Sequence, residues 1–467
     1  MEFLDNIMLL TDSYKCSHYK QYPPGTTTVY SYLESRKGGK FPTTTFFGLQ
    51  YIIKKYLVGQ VITADKIAEA KIFFDQHIGP GHFNAAGWQH ILDKHDGKLP
   101  VRVRAVPEGT IVPTGNVLVT IENTDPECFW LTNYLETILL HVWYPTSVAT
   151  LSRSMKDCIL MHLQTTGNPD LIPFKLHDFG FRGVSSVESA GMGGAAHLLN
   201  FMGTDTLAAI SLAQRYYSAG MPAFSIPASE HSTITSWGAE CEAEAMENML
   251  DQYPEGLVAC VSDSYDIINA CQNIWGSKLK AKVLARKGTL VIRPDSGEPM
   301  YIVPQVLNAL GKAFGYTVNA KGFKVLPDQV RVIQGDGVND ESIADILNVM
   351  CLEGWSADNI AFGCGGALLQ RLDRDTQRFA FKCSSVTCSG VERDVFKAPV
   401  TDPTKNSKRG RMKLVLERGW NNFDSKNERL ITVDEHDHRE DIMQTVFLNG
   451  DLLIDQKFED IRVRASK

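Results

Sequence analysis

The sequence has no long apolar run and no strong excess of either charge. Its most apolar segment, residues 131–144, is interrupted by Asn133, Glu136 and His141 and is shorter than a membrane-spanning helix requires. The 47 Lys and Arg residues are opposed by 54 Asp and Glu residues, which gives a net charge of −7. We therefore expect no membrane and no nucleic acid as a partner, and any anion-binding site has to be local.

The cysteines lack the spacing of metal ribbons, redox motifs and disulfide scaffolds. Ten cysteines are scattered over the 467 residues without a Cys-x-x-Cys pair. Acidic residues follow Met1 closely, at Glu2 and Asp5, which does not fit a secretory leader. We expect reduced thiols and a cytoplasmic protein.

From about residue 174 the chain repeats one pattern, in which an apolar strand is followed by a polar or glycine-bearing loop and then by an amphipathic helix. Such repetition predicts parallel strands with crossover helices, in a (β/α) barrel or a doubly wound sheet, with ligands at the carboxyl ends of the strands. The predicted strands are Phe174–Leu176, Ala223–Ile226, Leu257–Val261, Thr289–Ile292, Val330–Ile333 and Ile360–Phe362. The loops after them read HDFGFRG, PASEHS, SDSYD, RPDSG, QGDG and GCGG.

The flanking segments differ from this pattern and read as a small α+β region. Residues 99–123 form a run of short strands, and residues 125–141 are predicted to form one helix with Asp125 as its N-cap. We therefore predict an α/β protein, an irregular (β/α) barrel over residues 166–375. The flanking α+β domain is built from residues 1–165 and 376–467.

A glycine-rich turn follows the last predicted barrel strand. Gly363, Gly365 and Gly366 lie between that strand and a helical pattern, so backbone N–H groups and a helix N-terminus can meet an anion there. Because the helix dipole is too weak to hold a phosphate alone, Arg374 is the candidate cation. The alternative is a plain strand-to-helix turn whose glycines serve close packing.

Two carboxylates follow neighbouring predicted strands, Asp295 in RPDSG and Asp336 in QGDG. Beside a phosphate turn they suit the vicinal hydroxyls of a ribose, which donate to carboxylate oxygens. A metal pair and structural caps are the alternatives.

The other loop residues have both a functional and a structural interpretation. The letters DFG at Asp178 lack the other kinase motifs, so a kinase is excluded. Phe179 can offer a flat face to an aromatic ligand and Arg182 can bind an oxyanion, although an isolated phenylalanine is more often a core residue. Asp205 is either a functional carboxylate or the cap of the next helix, and the Glu230–His231 pair is either catalytic or a satisfied polar pair. The Gly191–Gly194 run indicates close helix packing, and the His436 and His438 pair indicates a solvated loop or a metal site.

With these residues in view, the chain resembles the nicotinamide phosphoribosyltransferases. The matching motifs run from near residue 9 to beyond Lys413, and agreement at so many separate loops is very specific. They are TDSYK, HYKQYPP, FFGLQ, VPEG, NTDPEC, KLHDFGFRGVSS, GTDT, PASEHSTIT, SDSYDI, IRPDSG, RVIQGDGV, AFGCGG and FKCS.

The resemblance implies transfer of a ribose 5-phosphate from phosphoribosyl pyrophosphate to nicotinamide, with Mg²⁺, in NAD salvage. It implies that Phe179 stacks on the pyridine ring, that Asp205 accepts from the carboxamide N–H, and that Arg293 contacts the carboxamide oxygen or a phosphate. The ribose would be held by Asp295, Gly335 and Asp336, the 5′-phosphate by Gly365, Gly366 and Arg374, and the pyrophosphate by Arg182.

The resemblance also implies a homodimer with shared sites and a coupling to ATP. Tyr14 of the neighbouring subunit would close the other face of the ring, and Arg36, Lys382 and Lys397 would reach the phosphates in the same way. His231 matches a histidine that ATP phosphorylates, with Glu230 and Asp263 as its supports. The alternatives are a nicotinate phosphoribosyltransferase, which Asp205 disfavours by charge, and a binding protein that only keeps the fold. A third alternative is another phosphate-binding barrel enzyme, which is disfavoured because no lysine ends a barrel strand as a Schiff base would require.

Overall fold

The computed structural model describes residues 5–401, 405–417 and 428–467. The chain divides into two compact units. The flanking unit comprises residues 1–150, 215–219 and 373–467, and the barrel unit comprises residues 151–214 and 220–372. The first division therefore lies earlier than the predicted one after residue 165, and the short insertion at 215–219 was not predicted.

Helices and strands are numbered separately along the chain. The helices are α1 (Leu49–Tyr56), α2 (Ala64–His77), α3 (Ala85–His95), α4 (Leu131–Tyr134), α5 (Glu136–Leu140), α6 (Trp143–Thr166), α7 (Val187–His197), α8 (Leu207–Tyr217), α9 (His231–Thr235), α10 (Glu242–Gln252), α11 (Ile267–Asn269), α12 (Lys280–Leu284), α13 (Pro299–Phe314), α14 (Asp340–Leu352), α15 (Gly366–Leu369) and α16 (Phe458–Ala465). The strands are β1 (Thr26–Ser35), β2 (Thr43–Thr45), β3 (Val101–Ala105), β4 (Ile111–Pro113), β5 (Val117–Asn123), β6 (Leu176–Asp178), β7 (Gly203–Thr204), β8 (Glu255–Val261), β9 (Lys287–Arg293), β10 (Thr317–Val318), β11 (Lys324–Val325), β12 (Val330–Gln334), β13 (Ile360–Cys364), β14 (Phe379–Cys388), β15 (Val391–Asp394), β16 (Met412–Glu417), β17 (Arg429–Asp434), β18 (Gln444–Leu448) and β19 (Asp451–Leu452).

The flanking unit is built on an antiparallel sheet of order β15-β14-β1-β5-β3-β18-β19. Its long strand β1 pairs with β14 on one side and with β5 on the other, so segments from both ends of the sequence share one sheet. Most of β1 is buried, as its apolar and aromatic residues lead one to expect.

The segment after β5 is not the single helix that the sequence predicted. Asp125 does cap a turn, because its Oδ1 accepts a hydrogen bond of 2.9 Å from the Glu127 N–H. The chain then breaks into the 3₁₀ turn Pro126–Cys128, α4 and α5. Trp130 and Tyr134 pack edge-on against Trp88, with ring centroids 4.7 and 5.1 Å from the Trp88 centroid. We attribute the break in the helix to this tertiary packing, which overrides local helix propensity.

The barrel unit contains a parallel sheet of order β7-β6-β13-β12-β9-β8. Its two edges are joined by the segment at residues 223–228, in which Phe224 bridges Gly203 of β7 and Ala228 bridges Ala259 of β8. The sheet is therefore closed into an irregular barrel, as predicted, although the predicted strand Ala223–Ile226 is reduced to single bridges.

The first barrel strand lies two residues later than predicted. Strand β6 spans Leu176–Asp178, whereas Phe174 ends the 3₁₀ turn Pro169–Phe174 and is 46% exposed. Lys175 accounts for this arrangement, because its buried Nζ donates to the carbonyl oxygens of Ala357, Asp358 and Ile360 at 2.7–3.0 Å.

Side chains alternate between the two faces of the barrel strands. Leu290, Ile292 and Val332 are fully buried on one face, whereas Ala259, Val291 and Ile333 form a cluster with Phe179, Ile226 and Ala361 on the other. Because alanines occupy part of the inner layer, the barrel is not filled as branched side chains would fill it, and space for a ligand remains.

Helix α7 packs closely on α8 through its glycines. A Cβ added to Gly194 would lie 2.6 Å from the Ala209 Cβ, so only glycine allows this approach. The predicted close helix contact at Gly191–Gly194 is confirmed. Among the residues that the structure describes, none of the helices combines the length and the apolar character that crossing a bilayer requires.

Candidate active site

Two cavities meet at the carboxyl ends of the barrel strands. The outer cavity, of about 780 Å³, is polar and lined by residues that include Arg182, Glu230, His231 and Asp295. The inner cavity, of about 510 Å³, lies inside the barrel against the side chains of Ala259, Val291 and Ile333. Both cavities share Phe179, Asp205 and Arg293, so these three side chains form the junction between a polar and an apolar compartment.

Glycine positions fix the ring of Phe179. A Cβ added to Gly363 of β13 would lie 1.9 Å from the Phe179 Cε2, so the ring occupies the place of the missing side chain. The Phe179 N–H donates to the Cys364 carbonyl at 3.0 Å, and the Gly180 N–H donates to the Asp178 carboxylate at 2.7 Å. The ring is therefore held at the junction by backbone contacts as well as by packing.

Asp205 lies at the same junction, immediately after β7. Its Oδ1 accepts a hydrogen bond of 2.5 Å from the Ser225 hydroxyl, and its N–H donates to the Asp178 carbonyl. Burial raises the pKa of the nearby Asp178 to about 6, against the hydrogen bonds that it accepts from Gly180, Thr206 and Thr204. Asp205 itself is exposed to the cavity and can accept a further donor.

Arg293 and Asp295 follow β9 and face each other. The Arg293 Nε lies 3.7 Å from Asp295 Oδ1, and it has no hydrogen-bond partner among the described residues although it is buried. A buried guanidinium donor without a partner is costly in a folded protein, which marks it as a donor that a ligand satisfies.

His231 is the first residue of α9, and its ring contacts the buried carboxylate of Asp263. Its Nε2 lies 3.0 Å from Asp263 Oδ1, and its Nδ1 lies 3.9 Å from Asp295 Oδ2. The other oxygen of Asp263 accepts from the Asp295 N–H at 3.0 Å and from the Ser296 hydroxyl at 2.5 Å. The Asp263 side chain is 2% exposed and the His231 side chain 44%, so the acid orients a ring that the cavity can reach.

Glu230 serves the start of the same helix. Its side chain and that of Thr233 form a capping box, and the Ser232 hydroxyl also donates to Glu230. The sequence did not predict this capping role, and Glu230 lines the outer cavity in addition.

The two glycine loops lie beside Phe179. A Cβ added to Gly335 would lie 3.4 Å from both Asp295 Oδ1 and Phe179 Cε2, and one added to Gly365 would lie 3.5 Å from the Phe179 carbonyl oxygen. Gly366 begins the short helix α15, and a Cβ on Gly183 would approach it to 3.6 Å. The loop that carries Arg182 therefore packs next to the glycine turn. Asp336 follows β12, exposed, in the same row of strand ends.

The remaining predicted site residues belong to the flanking unit. Tyr14 is 57% exposed in the 3₁₀ helix Ser13–Lys20. Burial lowers the pKa of Lys382, the charge of Glu136 raises it in part, and the nearby charges of Arg36, Arg374 and Lys397 lower it further. Lys382 is therefore close enough to three other cations to feel their charge, which is typical of a surface that binds an anion.

The structure adds residues that the sequence did not single out. Ser225 orients Asp205, Ser296 orients Asp263, and Phe181, Thr206 and Ser232 complete the lining of the outer cavity. The sequence pattern predicts a phosphate-binding turn that includes Gly363. In the structure, the absence of a side chain at Gly363 makes room for the ring of Phe179. Local sequence patterns carry no signal for these contacts, because each joins loops that are far apart in the chain.

A metal ion would need ligands from a substrate in this pocket. Among the described residues of the barrel unit, no three His, Cys, Asp or Glu side chains converge closely enough to hold an ion by themselves. The carboxylate of Asp295 makes only long contacts, 3.7 Å to Arg293 and 3.9 Å to His231. It could therefore bind an ion together with the phosphate oxygens of a substrate.

Two family models match the chain. The nicotinate phosphoribosyltransferase (NAPRTase) family matches residues 174–451, and the N-terminal domain of nicotinamide phosphoribosyltransferase matches residues 6–103. Curated relatives extend the match to the full length. A nicotinamide phosphoribosyltransferase of Xanthomonas campestris is 51% identical over 469 residues, covering 100% of this chain and 99% of the relative. A protein of the same name from Acinetobacter baylyi is 32% identical over 100% of this chain and 98% of its own.

Solved structures support the same fold at low identity. Nicotinate-nucleotide pyrophosphorylase from Pyrococcus furiosus is 15% identical with a TM-score of 0.63, over 100% of this chain and 96% of that one. Human nicotinic acid phosphoribosyltransferase is 16% identical with a TM-score of 0.57, over 98% and 93% of the two chains. With the full-length identity to curated relatives, these matches show that the chain belongs to the nicotinamide phosphoribosyltransferase family.

Proposed function

We propose that this enzyme transfers 5-phosphoribose from phosphoribosyl pyrophosphate to nicotinamide, forming nicotinamide mononucleotide and pyrophosphate in NAD salvage. The observation that carries the proposal is the junction of Phe179, Asp205 and Arg293 between an apolar and a polar cavity. An aromatic base fits the apolar side, and a phosphorylated sugar fits the polar side.

The junction suits a neutral carboxamide. Asp205 would accept from the amide N–H. The Nε–H of Arg293, for which the described part of the chain offers no hydrogen-bond partner, would donate to the amide oxygen. Phe179 would stack on the ring, a contact that contributes about 0.5–1.5 kcal/mol. The ring nitrogen would then face the outer cavity, where the sugar binds.

The outer cavity suits the ribose and its phosphates. Asp295 and Asp336 would accept from the ribose hydroxyls, Gly335 gives the sugar backbone access, and the N–H groups at Gly365 and Gly366 would receive the 5′-phosphate. Arg182 would bind the pyrophosphate. As the bond from the anomeric carbon to pyrophosphate breaks, positive charge develops on that carbon and negative charge on the leaving group, so positioning and neutralisation are the main tasks of the protein.

Mg²⁺ fits this site as an ion shared between Asp295 and the substrate. Its chemistry there would be neutralisation of the pyrophosphate charge.

A coupling to ATP is part of the proposal. The Nε2–H of His231 would donate to Asp263. The Nδ1 atom of the exposed ring then carries a lone pair and can act as the nucleophile. Attack on the γ-phosphorus of ATP would form the N–P bond as the bond to ADP breaks, and the positive charge of the ring would be shared with Asp263. Glu230 caps the helix that presents the ring.

The subunit arrangement is also proposed. Tyr14 and the cations Arg36, Lys382 and Lys397 are accessible or clustered on the flanking unit, as expected for groups that complete the site of a partner in a homodimer.

The direct test is formation of nicotinamide mononucleotide by the purified protein from nicotinamide and phosphoribosyl pyrophosphate. We expect activity in the wild type and a loss of about 10–100-fold in kcat/KM in Asp295→Asn, which removes a charged hydrogen-bond acceptor. Asp328→Asn is the matched control, because this aspartate is 97% exposed and precedes β12 at the other end of the strand. Absence of product in the wild type would refute the proposal.

Nicotinate is the second candidate base, because the model that matches residues 174–451 is that of the nicotinate phosphoribosyltransferase family. Its carboxylate would meet Asp205 at the junction, and like charges in contact cost several kcal/mol. The same assay with nicotinate separates the two candidates.

A further inference from the structure

Two histidines and an aspartate of the flanking unit form a compact cluster away from the candidate catalytic residues. His90 and His95 belong to α3, and Asp125 follows β5 and caps the 3₁₀ turn Pro126–Cys128. The His90 Nε2 and the His95 Nε2 lie 2.7 and 2.6 Å from the same atom, Asp125 Oδ2. Three atoms of the kinds that bind transition metals thus lie within 4.8 Å of one another.

Other groups bind the Oδ1 atom and the backbone carbonyl of Asp125, so that its Oδ2 atom contacts the two histidines. Its Oδ1 accepts from the Glu127 N–H at 2.9 Å, and its backbone carbonyl accepts from the Asn123 side chain at 2.8 Å. Outer hydrogen bonds of this kind orient the ligands of metal sites. The cluster therefore has a fixed carboxylate and two imidazoles directed at it.

The cluster is sheltered but open to solvent. The side chains of His90, His95 and Asp125 are 28%, 26% and 16% exposed. An ion can therefore reach the three ligand atoms, and water can complete its coordination.

We propose that His90, His95 and Asp125 bind a divalent first-row transition metal of the zinc class. Imidazole nitrogen with one carboxylate oxygen suits zinc, cobalt, nickel or copper, whereas magnesium and calcium prefer oxygen ligands alone. In a tetrahedral zinc site, bonds of 2.0–2.1 Å separate the ligand atoms by roughly 3.3 Å. Each histidine nitrogen has to move away from Asp125 Oδ2 by about 0.6–0.7 Å, which small rotations of partly exposed side chains provide.

Such an ion would join the C-terminal end of α3 to the connection between β5 and α4. It would stabilise the flanking unit without taking part in the reaction, so its presence is independent of the function proposed above. Binding to the folded state alone raises the melting temperature as the free ion concentration increases.

The test is titration of the chelator-treated full-length protein with Co²⁺, followed by visible absorption, and with Zn²⁺, followed by calorimetry. We expect one equivalent to bind in the wild type, with ligand-field bands of Co²⁺. The variants His90→Gln and His95→Gln retain an N–H donor for Asp125, and we expect at least a tenfold weaker affinity in each. Circular dichroism checks that they remain folded.

Two histidine variants serve as controls. His436→Gln removes an exposed histidine that lies 3.8 Å from Glu435, and His231→Gln removes the imidazole beside Asp263. Both should bind the ion as the wild type does, and at equal zinc concentration the melting temperature of both should rise more than that of His90→Gln. Equal affinity in His90→Gln and the wild type, loss of binding in His231→Gln alone, or no binding by the wild type at 100 µM would overturn the proposal.

Discussion

Some side chains beside the outer cavity position more than one neighbour. Asp263 is the clearest case, because one of its oxygens lies 3.0 Å from the His231 Nε2 and the other accepts from the Asp295 N–H. The residue proposed to be phosphorylated and the residue proposed to bind ribose are therefore held by the same buried carboxylate. This gives a physical route by which the state of His231 can affect the sugar site.

Replacement of His231 by alanine should abolish stimulation by ATP and leave slow basal synthesis of nicotinamide mononucleotide. The reason is that the variant lacks the Nδ1 nucleophile but keeps Phe179, Asp205 and Asp295 in place. Initial rates with and without ATP, in the wild type and the variant, check this. If ATP has no effect on the wild type, the proposed role of His231 is wrong.

Gly363→Ala should weaken nicotinamide binding, because the added Cβ would lie 1.9 Å from the Phe179 Cε2 and displace the ring. We expect at least about a tenfold rise in KM for nicotinamide and a loss of about 1–3 kcal/mol in the free energy of unfolding, as for overpacked positions. Gly220→Ala is the control, since nothing lies within 4 Å of a Cβ there. A normal KM in Gly363→Ala would show that the ring position does not matter.

The sequence identified most of the polar residues of the pocket but not their supports. Asp295 and His231 could be predicted because they follow apolar strands, and the ends of parallel strands meet. Ser225 and Gly363 could not, since their effect depends on Asp205 and Phe179, which other loops supply.

At the scale of elements, a buried histidine of α7 contacts both the first barrel strand, β6, and helix α6. His197 is fully buried, its Nδ1 lies 3.0 Å from the Ser152 hydroxyl and its Nε2 lies 3.2 Å from the Leu176 carbonyl. One nitrogen accepts and the other donates, which is the pattern of a neutral imidazole. Burial lowers the pKa of His197 to about 3.

This burial predicts a loss of stability in acid. Between about pH 6.5 and pH 3 the unfolded chain binds a proton at this histidine and the folded chain does not, so the free energy of unfolding falls as the pH falls, by roughly 1 kcal/mol per pH unit. His197→Gln should reduce this slope. Urea unfolding from pH 7 to pH 4.5 measures it, with His82→Gln, outside this buried site, as the control. Identical slopes in wild type and His197→Gln would contradict the assignment.

Elements with a continuous apolar pattern were predictable, and those determined by single contacts were not. Strands β8, β9, β12 and β13 appear where apolar runs indicated them. The segment at residues 223–228 closes the barrel through only two bridges, and such closure depends on the edges that it joins. The break within residues 125–141 depends in the same way on packing against Trp88.

At the scale of the whole molecule, the residues proposed to form the site are divided between the two units of the chain. Phe179, Asp205, Arg293 and Asp295 belong to the barrel unit, whereas Tyr14 and four clustered cations belong to the flanking unit. The proposed homodimer would let the flanking unit of one subunit complete the barrel site of the other.

Shared sites predict complementation between two inactive variants. In a heterodimer of Tyr14→Ala and Asp295→Asn, one site carries both defects and the other is intact, so random mixing should restore about a quarter of the wild-type activity. The control pair, Phe179→Ala with Asp295→Asn, has both changes in the barrel unit and should restore none. Equal recovery in both pairs, or none in the first, would contradict the shared site.

The central claim is that a negative charge at the cavity junction selects a neutral amide base. It is tested most directly by kcat/KM for nicotinamide and for nicotinate, measured in the wild type and in Asp205→Asn. Because like charges in contact cost several kcal/mol, the ratio of nicotinate to nicotinamide turnover should rise by at least about a hundredfold in the variant. An unchanged strict preference for the amide in Asp205→Asn, or wild-type turnover of nicotinate equal to that of nicotinamide, would contradict the account.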